Sequence, residues 1–316
     1  MVFPTASVLF RYPVAIPRLA MLSMLLFCAG TVQAQPVLSI LPESTGCMAV
    51  LTSQAGGLYR GCGPHWRFRR VAGAPEALPV ALTESHRSLI LGTRTGLYQR
   101  PSDQTGWQQL SDQPTGALAC HGAHCVVRFF GQGPRRLSDG RLSPPQVRGL
   151  PDQPLQQFVI AGDGALYGAG MGAGVLWLKP GSDTWQPVGS GLGNGNVLTL
   201  ARADDGTLHA GTYGGGLYRL RPGETRWRDD AIRHPLYVEA VALIDGTELA
   251  LTEDNRLVRL RRREDGTWVE RNAYQPPGPP PYALTATGDR VYLGTVDGLH
   301  ELDPVHGTWR DITPTY

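Results

Sequence analysis

A segment near the middle of the chain is the template for nearly everything around it. Residues 197–227, VLTLARADDGTLHAGTYGGGLYRLRPGETRW, read as an apolar strand, an Asp-Gly turn, a second strand, a Gly-rich turn, a third strand and a Trp. Comparable segments begin at Val37, Pro79, Ala117, Phe158, Val197, Val238 and Tyr282, spaced 38 to 44 residues apart. A unit this small cannot hide its own apolar faces, so such units must stack on one another. The apolar residues alternate with a period of two, which describes strands and not a helical stripe. Seven units of four strands predict an all-β fold: a seven-bladed β-propeller with four antiparallel strands per blade, over residues 35–316.

Each unit carries the same punctuation. The third strand follows a tight turn at Gly57-Leu58-Tyr59, Gly96-Leu97-Tyr98, Gly174-Val175-Leu176, Gly216-Leu217-Tyr218 and Gly298-Leu299-His300, with Arg256-Leu257-Val258 in the sixth unit. A Trp marks the start of the fourth strand at Trp66, Trp107, Trp185, Trp227, Trp268 and Trp309, and only the third unit lacks it. A bulky aromatic at one fixed place per unit suits sheets that stack face to face. The first strands, such as Val197–Leu200, are almost wholly apolar, as expected of an innermost strand covered on both faces. Because the last unit ends on its own Trp309-Arg310-Asp311-Ile312, the ring is expected to close without an exchanged strand.

The N-terminus precedes the repeats and reads as an export signal. Arg11 and Arg18 stand before an apolar run from Leu19 to Gly30, and Val32-Gln33-Ala34 supplies small residues for cleavage, so residues 1–34 are expected to be removed. The run is shorter than the roughly 20 apolar residues of a membrane span. Without residues 1–34 the chain keeps 27 basic and 27 acidic side chains, and its basic residues are not clustered. That balance argues against a nucleic-acid partner, which requires a concentrated positive surface to displace counterions. The expected location is periplasmic or secreted, with no membrane span after cleavage.

The fifth unit and its lead-in, GSGLGNGNVLTLARADDGTLHAGTYGGGLYRL, resemble the bacterial neuraminidase-repeat and Asp-box propellers. They are also similar to the two-component-regulator and photosystem II assembly factor-like propellers. The Asp-box survives in fragments, Gly181-Ser182-Asp183-Thr184-Trp185 and Asp265-Gly266-Thr267-Trp268. The resemblance implies the propeller scaffold and no one activity, since hydrolases, sensors and assembly factors share it.

Four cysteines remain after signal removal, which in an exported protein favours two disulfides. Strand register selects the pairing. A turn through residues 53–56 sets Cys47 opposite Cys62, and the turn His121-Gly122-Ala123-His124 sets Cys120 opposite Cys125. The run Cys120 to Cys125 also contains metal-ligand types, but a directly opposed hairpin pair in an oxidising compartment is expected to be a disulfide, so no metal is assigned.

No catalytic constellation is visible. A chain similar to the sialidases would need a Phe/Tyr-Arg-Ile-Pro element; Phe10-Arg11-Tyr12-Pro13 departs from it and lies in the removed segment. The Asp-Gly pairs at 139, 163, 205, 245, 265 and 297 each precede a strand and read as turns. No P-loop, dinucleotide fingerprint or Ser-His-Asp order occurs in a suitable context, and no cofactor is expected. Pro276–Pro281 reads as a stiff connection between blades.

Function is therefore expected on the propeller face made by the second-to-third-strand loops and the inter-blade loops. The candidates are Arg94, Tyr213, Glu253, Asp254 and Asp297 from the first set and His234, Tyr237 and Tyr274 from the second. The expected role is a non-catalytic scaffold for a protein or glycan ligand. The competing expectation is a carbohydrate-active enzyme using paired carboxylates among Glu253, Asp254 and Asp297.

Overall fold

The structure, a computed structural model, describes residues 36–314 except 44, 64, 87, 194, 230–236, 245–246, 264–267, 279–280, 288–289 and 304. The expected export segment lies outside the described residues. The chain folds as a seven-bladed β-propeller: 28 strands form seven antiparallel sheets, each built from four consecutive strands. The first strands begin at Val37, Pro79, Thr115, Gln157, Val197, Val238 and Ala283, within two residues of the repeat boundaries in the sequence. Among the described residues no helix is long and apolar enough to cross a membrane.

Burial follows from position in the blade. The first strands contact one another in order around the ring, the seventh returning to the first, so they line the axis. The second strands Cys47–Thr52, Ser88–Thr93 and Leu208–Thr212 are buried at every residue, because neighbouring blades cover both of their faces. Fourth strands form the outer edge. In blades one, three, four and five they shrink to two residues, a short edge that offers little to a foreign strand.

Small residues set the blade spacing. A Cβ on Gly92 of blade two would lie 2.5 Å from Thr115 Cγ2 of blade three, and one on Gly211 of blade five 2.6 Å from the Val238 carbonyl oxygen of blade six. The equivalent atom on Gly294 of blade seven would lie 2.6 Å from Val37 Cγ1 of blade one. The ring-closing seam thus repeats the internal ones. It is filled by Val37, Ile40, Met48 and Val50 against Ala283, Tyr292 and Leu299. Blade seven's fourth strand, Thr308–Asp311, pairs with its own third strand, Gly298–Asp303, so no strand is exchanged.

Two tryptophans act as latches between blades. Trp185 Nε1 donates to the Gln146 carbonyl at 3.1 Å, and Trp227 Nε1 to the Val188 carbonyl at 2.7 Å, each reaching 39 residues back to the preceding blade. The Trp185 and Trp227 backbone N–H groups add 2.8 Å bonds to Arg148 and Ser190. Gly149 has φ +76°, and a Cβ there would meet the Trp185 carbonyl at 2.2 Å, so this residue must be glycine for the latch to close.

Both expected disulfides are present. Cys47 stands opposite Cys62 and Cys120 opposite Cys125 in the register, and each pair is bonded.

Candidate ligand-binding face

The second-to-third-strand turns are built on a threonine. Thr52, Thr93, Thr212, Thr252 and Thr295 end the second strands of blades one, two, five, six and seven, and each is at most 1% exposed. The hydroxyls of two of them donate to carbonyls across the turn: Thr93 to Gly96 at 3.0 Å and Thr212 to Gly216 at 2.9 Å. A buried hydroxyl needs such a partner, and here the partner closes the turn.

The residue after the second strand is then pinned to the ring. The backbone N–H groups of Ser53, Arg94, Phe130, Tyr213 and Glu253 donate to the carbonyls of Pro36, Leu78, Pro114, Asn196 and Tyr237, each just before the first strand of the same blade. The bonds measure 2.9 to 3.1 Å. The result is one side chain at a fixed place on one rim in each of blades one, two, three, five and six.

Two clusters stand out on this rim. Arg94 lies with its guanidinium carbon 5.4 Å from the Phe130 ring centre, and Arg128 approaches the same ring at 5.9 Å. Phe130 and the neighbouring Leu78 are 39% and 51% exposed, large values for apolar side chains. Across blades five and six, Tyr213 and Tyr237 stack with ring centres 4.0 Å apart and planes 23° from parallel. The hydrogen bond that the Tyr237 hydroxyl donates to Tyr213 is the main cause that raises it above the usual phenol range, with burial and the Glu253 carboxylate adding to it.

The remaining candidates divide. Asp254 is exposed but serves its own turn, accepting from Thr252 Oγ1 at 2.5 Å and facing Arg256 at 4.0 Å. Asp297 is exposed, its backbone N–H bonded to Thr295 Oγ1 at 3.1 Å, and its Oδ2 stands 2.8 Å from where a Gly278 Cβ would be. Tyr274 is not a surface residue: it is 7% exposed and packs with Leu257, Leu284 and Leu302 in the seam between blades six and seven. The reason is the length of blade six's fourth strand, Trp268–Tyr274, which carries Tyr274 inward opposite Leu257. His234 lies outside the described residues.

Sequence reasoning missed Phe130 and Leu78, although both flank strand ends at the repeat positions of Tyr213 and Asn196. It also missed Asn196, whose side-chain oxygen accepts from Gly172 N at 2.8 Å and whose carbonyl accepts from Tyr213, joining blades four and five at the rim. The Asp-Gly pairs at 163 and 205 behave as turns, each Asp accepting from the N–H two residues on, at 3.0 and 2.9 Å; those at 245 and 265 lie outside the described residues. Among the described residues no group of three or more His, Cys, Asp or Glu is arranged to hold a metal.

No protein-family model and no curated protein matches the chain. Solved structures do. The extracellular domain of a putative one-component system, BT4673 from B. thetaiotaomicron, is 17% identical with a TM-score of 0.67, over 85% of this chain and 38% of that one. The chain thus spans well under half the length of that regulator domain. The YCF48 protein of Cyanidioschyzon merolae is 13% identical with a TM-score of 0.65, over 85% of this chain and 95% of that one. A YCF48 bound to a D1 peptide is 11% identical with a TM-score of 0.64, over 85% and 91%. In all, 1049 chains match, so the likeness defines the architecture and not an activity.

Proposed function

We propose that the chain is a non-catalytic, exported propeller that binds a protein or glycan and serves as an assembly scaffold of the cell envelope. The observation that carries this reading is the rim: backbone-pinned side chains in five blades, with Arg94 against Phe130 and Tyr213 stacked on Tyr237. Rigid aromatic side chains bind at low entropic cost, and their ring faces suit both sugar faces and apolar peptide groups. Two disulfides and the N-terminal apolar run support export, and the regulator neighbour is itself an extracellular domain. The D1 peptide bound to a YCF48 supports a peptide-like ligand for a propeller of this shape. Asp254 favours a structural role over a paired-carboxylate enzyme, because its carboxylate is committed to the Thr252 turn.

The test pairs capture with turnover. Purified residues 35–316 are used to capture envelope partners and are assayed against a panel of glycosides and polysaccharides. Capture of a defined partner that is lost in Arg94→Ala or Tyr213→Ala, without turnover, is the expected result. Turnover abolished by Asp254→Asn or Asp297→Asn would overturn the reading.

A further inference from the structure

The opposite face of the ring carries a second, chemically distinct cluster. The loops joining first to second strands emerge there, close to the axis. In blade two this loop presents His86, in blade three His121 and His124, in blade four Gly162 and Gly164, and in blade five Asp204 and Gly206 at the end of the strand that holds Arg202.

These loops interlock through glycine. The His86 backbone N–H donates to the Gly122 carbonyl at 3.0 Å, tying blade two to blade three. A Cβ on Gly122 would lie 3.5 Å from His86 Nε2, one on Gly162 would lie 3.9 Å from His121 Nε2, and one on Gly164 would lie 3.2 Å from His124 Cε1. The three imidazoles therefore rest over backbone that carries no side chains. Arg136 reaches the same turn, its Nη1 donating to the Gly164 carbonyl at 2.9 Å, while its Nη2 is buried without a hydrogen-bond partner. On Arg202, Nη2 stands 3.3 Å from where a Gly206 Cβ would be.

The charge around His121 is one-sided. Burial is the main cause that holds its imidazole below the usual range; Arg202, His124 and His86 push it further down, and Asp204 alone opposes them. Asp163 and Asp205 also lie on these loops, and the Oδ1 of each accepts from an N–H of its own turn, Ala165 and Thr207. The imidazoles form no metal-ligating group.

We propose that this axial mouth, formed by blades two to five, binds a small multiply charged oxyanion of the phosphate type through His86, His121, His124 and Arg202. An anion there offsets the repulsion that Arg202, His124 and His86 exert on His121 and supplies a charge-assisted hydrogen-bond acceptor to their N–H groups. Binding is then coupled to proton uptake at His121. Affinity must rise as pH falls through the histidine range, and anion binding must raise the His121 pKa by the same linkage.

The probe is inorganic pyrophosphate, titrated calorimetrically into disulfide-intact protein at about pH 5.5 and about pH 8, on either side of the imidazole range. The expected affinity is at least about tenfold higher at the lower pH, with a further loss of about fivefold or more in His121→Gln and in Arg202→Gln. His306→Gln is the control, because His306 lies on an outer turn of blade seven and pairs with Asp303 at 2.9 Å. Thermal melts without ligand check that each variant is folded, and the histidine ring signals in NMR report whether pyrophosphate raises the His121 pKa. Vesicles containing phosphatidylglycerol distinguish the sources: cosedimentation that pyrophosphate competes away assigns the site to a lipid headgroup, and an isotherm without cosedimentation assigns it to a soluble phosphate. Equal affinity at both pH values, indifference to both substitutions, or neither isotherm nor cosedimentation overturns the proposal.

Discussion

His209 in blade five places Nδ1 2.7 Å from Oε1 of Glu248 in blade six, and the two side chains are 2% and 0% exposed. Arg219, on the neighbouring strand of blade five, bonds the other carboxylate oxygen through Nη2. Burial alone would push the Glu248 carboxyl up, but His209 and Arg219 outweigh it and hold the group below the usual carboxylate range. An ionised carboxylate needs a donor at that distance, so His209 Nδ1 carries a proton and donates a hydrogen bond to Glu248.

Removing one member of such a network strands the others in the interior. Glu248→Gln is expected to cost about 3 kcal/mol, the usual penalty for leaving a buried cation without its counter-charge. The sign of the pH dependence follows from the depressed pKa. The stabilisation is complete above the unfolded carboxylate value and is lost as pH falls through the folded one. Urea midpoints measured from neutral pH into acid should fall more steeply for the wild type than for Glu248→Gln; parallel curves would contradict the assignment.

The tryptophan latches predict an asymmetry between positions that look identical in the repeat. Trp227 Nε1 has its Val188 carbonyl, whereas Trp309 Nε1 is buried with no hydrogen-bond partner. Trp227→Phe leaves that carbonyl unsatisfied, at about 1 to 3 kcal/mol, while Trp309→Phe removes an orphan donor and should cost less. Chemical denaturation of the two variants measures the difference, and equal losses would argue against the latch.

The two disulfides should differ in worth despite their shared geometry in a hairpin. Their sequence separations are 15 and 5 residues. Chain-entropy estimates give about 3 kcal/mol for the longer loop and about 2 kcal/mol for the shorter. Replacing Cys47 and Cys62 together by serine should therefore lower the unfolding midpoint more than replacing Cys120 and Cys125.

The architecture was legible because every blade repeats the same strand grammar, and the cysteine pairing because a hairpin fixes register. The positions of Arg94, Tyr213 and Glu253 were legible for the same reason, each following a second strand. Tyr274 was misplaced because blade six alone extends its fourth strand to that residue. The Gly-Thr pairs at 92–93, 211–212 and 294–295 were a readable signal for both the close blade seams and the turns. The His209, Arg219 and Glu248 network was not readable. The hydrogen bonds to Glu248 reach back 29 residues to Arg219 and 39 to His209, and only the stacking of two blades brings them together.

The ring itself is tested most directly at its closing seam. Gly294→Ala adds a methyl group 2.6 Å from Val37 Cγ1, just as Gly211→Ala adds one 2.6 Å from the Val238 carbonyl inside the ring. Steric overlap in a packed seam costs about 1 to 3 kcal/mol. Unfolding free energies of the two variants should fall by comparable amounts if blade seven packs on blade one as the inner blades pack on each other. A destabilised Gly211→Ala beside an unaffected Gly294→Ala would mean that the ring is not closed.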